Sequence, residues 1–128
     1  MSASKSVGAK HVQYTLARNQ LHMDLLFEDM DKADQFLDMG ADAQVSSYSD
    51  GAYAIVQIGD TADKNQIQVY GLLLHEAVHI WQIVKKRMGE SEPSVEFEAY
   101  SIQAIAQDLF EMYEESEVKH GMEREKTD

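Results

Sequence analysis

The apolar positions of the chain change period along its length, and each change predicts an element. Between His11 and Met39, Leu21, Leu25, Leu26 and Phe27, then Met30, Ala33, Phe36 and Leu37, recur at spacings of three and four. That spacing predicts helix, with Gly40 as its stop. The period then drops to two. Val45-Ser46-Ser47-Tyr48-Ser49 leads into Asp50-Gly51, and Ala52 to Ile58 follows, closed by Gly59-Asp60. Asp-Gly between two β-prone runs is a hairpin signal. Alternation places Tyr53, Ile55 and Gln57 on one face and Ala54, Val56 and Ile58 on the other.

A long helix is predicted from Asn65 to Met88. Asn65 suits the N-cap, with Gln68 three residues on completing a variant capping box. Lys85, Lys86 and Arg87 suit the negative end of the helix dipole, and Gly89 the position just past it. The centre is apolar nearly all round, through Leu72, Leu73, Leu74, Ala77, Val78, Ile80 and Trp81. A helix of that kind is expected to be buried. Ser91-Glu92-Pro93 starts a further helix that runs to Tyr113 or a little beyond. Its inward stripe is Glu98, Ile102, Ile105, Leu109 and Met112.

The two ends carry less pattern. Residues 1–10 are small and polar and are expected to be frayed. Residues 114–128 are dense in charge and poor in apolar side chains, and are expected to be mobile or only partly helical. One domain over residues 11–113 is the expected organisation, of the α+β class. N-terminal helices would precede a hairpin or small antiparallel sheet, a buried central helix and a C-terminal helix.

Composition narrows the function. The formal net charge is −12, which opposes binding to a nucleic-acid backbone. There are no cysteines, which excludes disulfides, thiolate zinc sites and a cysteine nucleophile. No apolar leader is visible in Met1 to Lys10, and the longest purely aliphatic run is Leu72-Leu73-Leu74. No membrane span is expected, and the expected setting is cytoplasmic. The pattern specifies no oligomeric state.

The chemistry concentrates in His75-Glu76-Ala77-Val78-His79, an H-E-x-x-H sequence. On a helix, side chains four apart lie on one face about 5–6 Å apart at Cβ. Two imidazoles so placed can hold one zinc ion at about 2.0–2.1 Å each. Glu76, at the edge of the same face, can take a proton from water at the metal. The bland alternative is a pair of core histidines satisfied by hydrogen bonds. Such polar groups in the most apolar stretch of the chain need a compensating role. A catalytic zinc takes three protein ligands. Glu96, Glu98, His120, His11 and His22 are candidates for the third, and helical phase favours Glu98 on the inward stripe. Glu96 points to solvent, and His11 and His22 read as surface residues.

With His75-Glu76-x-x-His79 followed by Glu98-Ala99, 23 residues after His75, the chain resembles the zincin metallopeptidases of the gluzincin branch. It is most similar to their compact bacterial or bacteriophage forms. The resemblance covers roughly residues 65–110. It implies a minimal zincin-like core, Zn2+ as cofactor, His75, His79 and Glu98 as ligands, Glu76 as general base, and a peptide or protein substrate. It also implies that residues 52–58, the strand before the active-site helix, hold an extended substrate by strand addition. Two features depart from the family or stay open. The Asp expected four residues after the ligand glutamate is Ile102, leaving Asp108, Gln82 and Gln103 as candidates to orient a ligand histidine. The oxyanion donor could be Tyr53, Tyr70, Tyr100, Tyr113 or His120.

Two other functions fit the same residues. One is an acidic interaction or inhibitor protein with a structural or vestigial zinc. The other is a zinc amidase acting on something other than a peptide.

Overall fold

The computed structural model describes residues 5–7, 12–27, 35–37 and 40–127, with side chains described for 12–27, 35–37 and 40–119. His11, His120, Met30, Ala33 and Met39 of the expectations above lie outside the described side chains. The elements in chain order are β1 (Lys5–Val7), β2 (Val12–Ala17), α1 (Gln20–Leu26), β3 (Ala43–Tyr48), β4 (Tyr53–Ile58), α2 (Gln66–Met88) and α3 (Val95–Thr127). The class is α+β, as the periodicity implies.

The sheet order is β1-β2-β4-β3. β3 pairs antiparallel with β4 from Ala43↔Ile58 to Tyr48↔Tyr53, which is the expected hairpin. Ser49, Asp50 and Gly51 all take positive φ in its turn. β2 then pairs parallel with β4, from Gln13↔Tyr53 to Ala17↔Gln57. The sheet is therefore mixed rather than antiparallel. β4 is interior, and the edge strand beside α2 is β3, not residues 52–58.

The helix expected from His11 onward is also corrected. Residues 12–17 are a strand, and the helix spans only Gln20–Leu26, capped by the Asn19 side chain accepting from the His22 amide. Val12, Tyr14 and Leu16 alternate with Gln13 and Thr15, a period of two that fits a strand and not a helix. All three are buried against α2 and α3, and Ala17 is buried on the other face.

Two apolar clusters flank the sheet. Val12, Tyr14, Leu16, Ala54, Val56 and Ile58 meet Leu73, Ala77, Ile80, Trp81 and Val84 of α2 and Ile105, Leu109 and Met112 of α3. On the other face Ala17 and Ile55 meet Met23 and Phe27. The predicted division of β4 into two faces holds. Gln57, on the α1 side, is fully buried and satisfied: its Oε1 accepts from the Leu37 amide and Gln44, and its Nε2 donates to Ser46.

The two C-terminal helices follow their local signals. α2 begins at Asn65 with both bonds of the capping box and ends at Gly89 in the left-handed conformation. α3 turns the predicted stripe inward but does not stop near Tyr113; it continues to Thr127. Arg18 anchors the extension. Its guanidinium donates to the carbonyls of Ile58 and Gly59 and to Ser116 and Glu117, and lies 4.7 Å from the centre of the Tyr113 ring. Among the described residues no helix is long and apolar enough to cross a membrane.

Candidate metal centre

The middle of α2 carries the site, and helical phase decides which of its side chains meet. Val69, Leu73, Ala77, Ile80 and Val84 are buried in the core. His75 and His79 stand off that stripe and are exposed, while Glu76 lies at its border and is buried. Facing them is the start of the edge strand. Ala43, Gln44 and Val45 of β3 and His75, Glu76, His79, Gln82, Ile83 and Lys86 of α2 line one cleft of about 520 Å3.

Within the cleft, Nε2 of His75 and Nε2 of His79 are 3.2 Å apart. Two nitrogens bound tetrahedrally to one zinc at about 2.0–2.1 Å stand about 3.3–3.4 Å apart. The pair is thus spaced as a bidentate ligand set. A ligand atom of Glu76 completes a group lying within 4.8 Å. On the far side of the His79 ring, Nδ1 lies 3.0 Å from Oε1 of Gln82. An amide oxygen only accepts, so this contact calls for the tautomer with the proton on Nδ1, in which the Nε2 lone pair is turned toward Nε2 of His75. Of the three residues considered for orienting a ligand histidine, Gln82 is the one in contact with His79. Gln103 is exposed, and Asp108 accepts from the buried Tyr14 hydroxyl at 2.5 Å instead. Burial raises the pKa of Glu76, and the neighbouring His75 and His79 partly oppose the rise.

The expected third ligand is elsewhere. Oε2 of Glu98 accepts from Nε1 of Trp81 at 2.8 Å and lies 3.9 Å from Nζ of Lys85. Trp81 and Lys85 project from a different side of α2 than His75 and His79. Glu98 sits on the inward stripe as its phase requires, but the partner there is an indole N–H. Glu96 is exposed. His22 is partly buried on the α1 face, with Nδ1 accepting from the Arg18 amide, so it is not the surface residue expected. Of the tyrosines considered as oxyanion donors, Tyr70 is hydrogen-bonded to Glu114 and Tyr113 to Thr61. Tyr53 and Tyr100 are exposed, and none of the four lines the cleft.

Lys86 and the Ala43–Val45 segment belong to the cleft without having been expected there. Lys86 follows His79 by seven residues, two turns along one helix face, a signal present in the sequence. The β3 contribution depends on sheet order, which no local signal encodes. Compared with known protein families, with characterised proteins and with solved structures, the chain matches none.

Proposed function

We propose that the chain is a zinc-dependent hydrolase that cleaves peptide bonds. The observation that carries this reading is the convergence of His75 Nε2 and His79 Nε2, 3.2 Å apart, in a cleft beside buried Glu76. Two imidazoles at that spacing suit zinc, and the Glu76 carboxylate, within 4.8 Å of them, is near enough to meet water at the metal as its base. Bound there, the metal supplies Lewis acidity, polarising a carbonyl and lowering the pKa of water. His75 and His79 would hold it, and Gln82 keeps the His79 lone pair turned toward it. Glu76 receives the proton of the attacking water and delivers it to the leaving nitrogen. Burial suits that task, because it strengthens the hold of the carboxylate on a proton. Among the described residues β3 pairs only with β4, so its other edge is available to the substrate, the role first expected of residues 52–58.

The test is metal content measured together with cleavage of a mixed peptide library. His75→Ala and His79→Ala are expected to lose zinc. Glu76→Gln is expected to keep zinc and lose cleavage. Glu98→Gln is expected to keep zinc, because Glu98 bonds Trp81; zinc lost in that variant would mean that the carboxylate leaves Trp81 for the imidazoles. Wild-type protein that takes up no zinc would sink the proposal, and so would Glu76→Gln with full activity.

A further inference from the structure

The cleft does not end at His79. A second hollow, about 670 Å3, is lined by Ser47, Tyr48, Ser49, Asp50 and Gly51 of the hairpin and by Ile83, Lys86 and Arg87 of α2. Ile83 and Lys86 line both hollows, so the two form one trough between β3 and α2. β3 and α2 run along it in the same direction. Ala43 to Val45 lie by the imidazoles, and Ser47 to Ser49 lie by the cations.

The charges of this trough are ordered. At one end stand the two imidazoles and Glu76; at the other stand Lys86 and Arg87. Lys85, the neighbouring cation, is drawn off toward Glu98. Arg87 donates to the Asp50 carbonyl, which fixes it against the hairpin tip. Lys86 is exposed and makes no ion pair among the described residues. In a chain of net charge −12, a pair of cations set into a trough is a local exception. The Asp50 side chain is the one acidic group lining that end.

We infer that the trough recognises an extended peptide carrying an acidic residue two or three positions from the bond held at the imidazoles, with Lys86 as the specificity-determining side chain. The inference rests on the reading of the cleft as a peptide site. The spacing follows from geometry. Seven helical residues separate His79 from Lys86, a rise of about 10 Å. An extended chain covers that in about three residues at about 3.3 Å each, and the length of the lysine side chain brings the second within reach. A peptide pairing with the open edge of β3 would lie along this line, its backbone satisfied by the strand and its carboxylate by Lys86 and Arg87.

Binding is measured apart from cleavage, using Glu76→Gln protein, zinc-loaded and zinc-free. Fluorescent extended peptides are titrated by anisotropy: one neutral, others with a single Glu two or three positions to either side of the centre. The acidic peptide that fits is expected to bind about fivefold tighter than the neutral one. That ratio is expected to shrink as salt is raised, to shrink again in Lys86→Gln, where Arg87 remains, and to reverse in Lys86→Glu in favour of a Lys-containing peptide. Melting and zinc content of both variants serve as controls on the fold and the metal. Equal affinity for all peptides, or a preference untouched by Lys86→Glu, overturns the inference, as does the absence of binding. Acid preference without cleavage by the wild type would leave this inference standing and remove the hydrolase; cleavage without acid preference would do the reverse.

Discussion

Replacing Arg18 by Met tests how the last helix is held to the sheet. Met keeps much of the apolar bulk and removes the guanidinium, whose side chain is only 15% exposed. The Arg18 Nε–H donates to the Ile58 carbonyl at 3.0 Å, and Ile58 is buried, so its carbonyl loses a partner, at about 1–3 kcal/mol. The Gly59 carbonyl is half-buried and can turn to water, so its loss counts for about 0.5 kcal/mol. Glu117 is 40% exposed, and solvent screening holds its ion pair to less than about 1 kcal/mol. Loss of the stacking on Tyr113 contributes about 0.5–1 kcal/mol. Together these destabilise the fold by about 3–4 kcal/mol, a large share of the roughly 5–15 kcal/mol that holds a domain of ordinary stability. In urea, with a slope near 2 kcal/mol per molar, the midpoint should fall by about 2 M while the slope stays constant. Glu117→Gln, measured alongside, should move the midpoint by less than about 0.5 M. A loss below about 1 kcal/mol in Arg18→Met would refute the view that the carbonyl bonds, rather than the ion pair, make this clamp.

Three other predictions concern the hairpin, the acid limb and the metal. Gly51→Ala is expected to lose about 1–3 kcal/mol, because φ is +86° there and the new Cβ would stand 2.9 Å from Cγ2 of Ile83; equal denaturation midpoints would contradict this. His22 has its pKa lowered, first by burial and then by surrounding positive charge, Lys119 and Arg18 included. A lowered folded-state pKa gives stability that is present above the unfolded value of about 6.5 and lost as pH falls below it. Wild type should therefore lose more stability between pH 7.5 and pH 5 than His22→Gln does, and parallel losses would show that another group is responsible. Gln82→Leu should weaken zinc binding about 10- to 100-fold by competition titration, through loss of the His79 orienting bond, with the melting curve of the metal-free protein little changed. Unchanged affinity would remove Gln82 from the site.

What the sequence makes legible is what neighbours along the chain decide. Asn65, Gln68 and Gly89 set the ends of α2 through bonds spanning three or four residues. Asp50-Gly51 sets the hairpin through backbone conformations that most residues avoid. The His75–His79 pair is visible because a helix turns a spacing of four into contact. The failures are equally physical. β2 is easy to miss because its alternation covers only six residues, just before a three-and-four spacing that begins at Leu21, and its partner β4 is some forty residues away. α3 runs on past Tyr113, and Arg18 meets it at Ser116 and Glu117, 98 and 99 residues away in the chain, a contact that no local pattern encodes. Glu98 has the phase of an inward residue, but phase fixes only direction; which indole or imidazole waits there depends on how two helices rotate against each other.

The parallel pairing of β2 with β4 also sets an order of assembly. β2 can pair with β1 early, but its other edge waits for β4, some forty residues further on. The buried hydroxyl of Tyr14 then waits for Asp108, and Arg18 waits for Glu117, partners 94 and 99 residues further on. Contacts that distant are slow to form, since loop closure precedes any gain from them. A chain leaving the ribosome would pair the backbone of its second strand with β1 and β4 early, but leave the Tyr14 hydroxyl and the Arg18 guanidinium without their α3 partners until the middle of that helix had emerged. Ending the chain at Met112 would remove Tyr113, Ser116 and Glu117 at once, and with them the α3 side of the Arg18 clamp, while Ile105, Leu109 and Met112 stayed on the sheet.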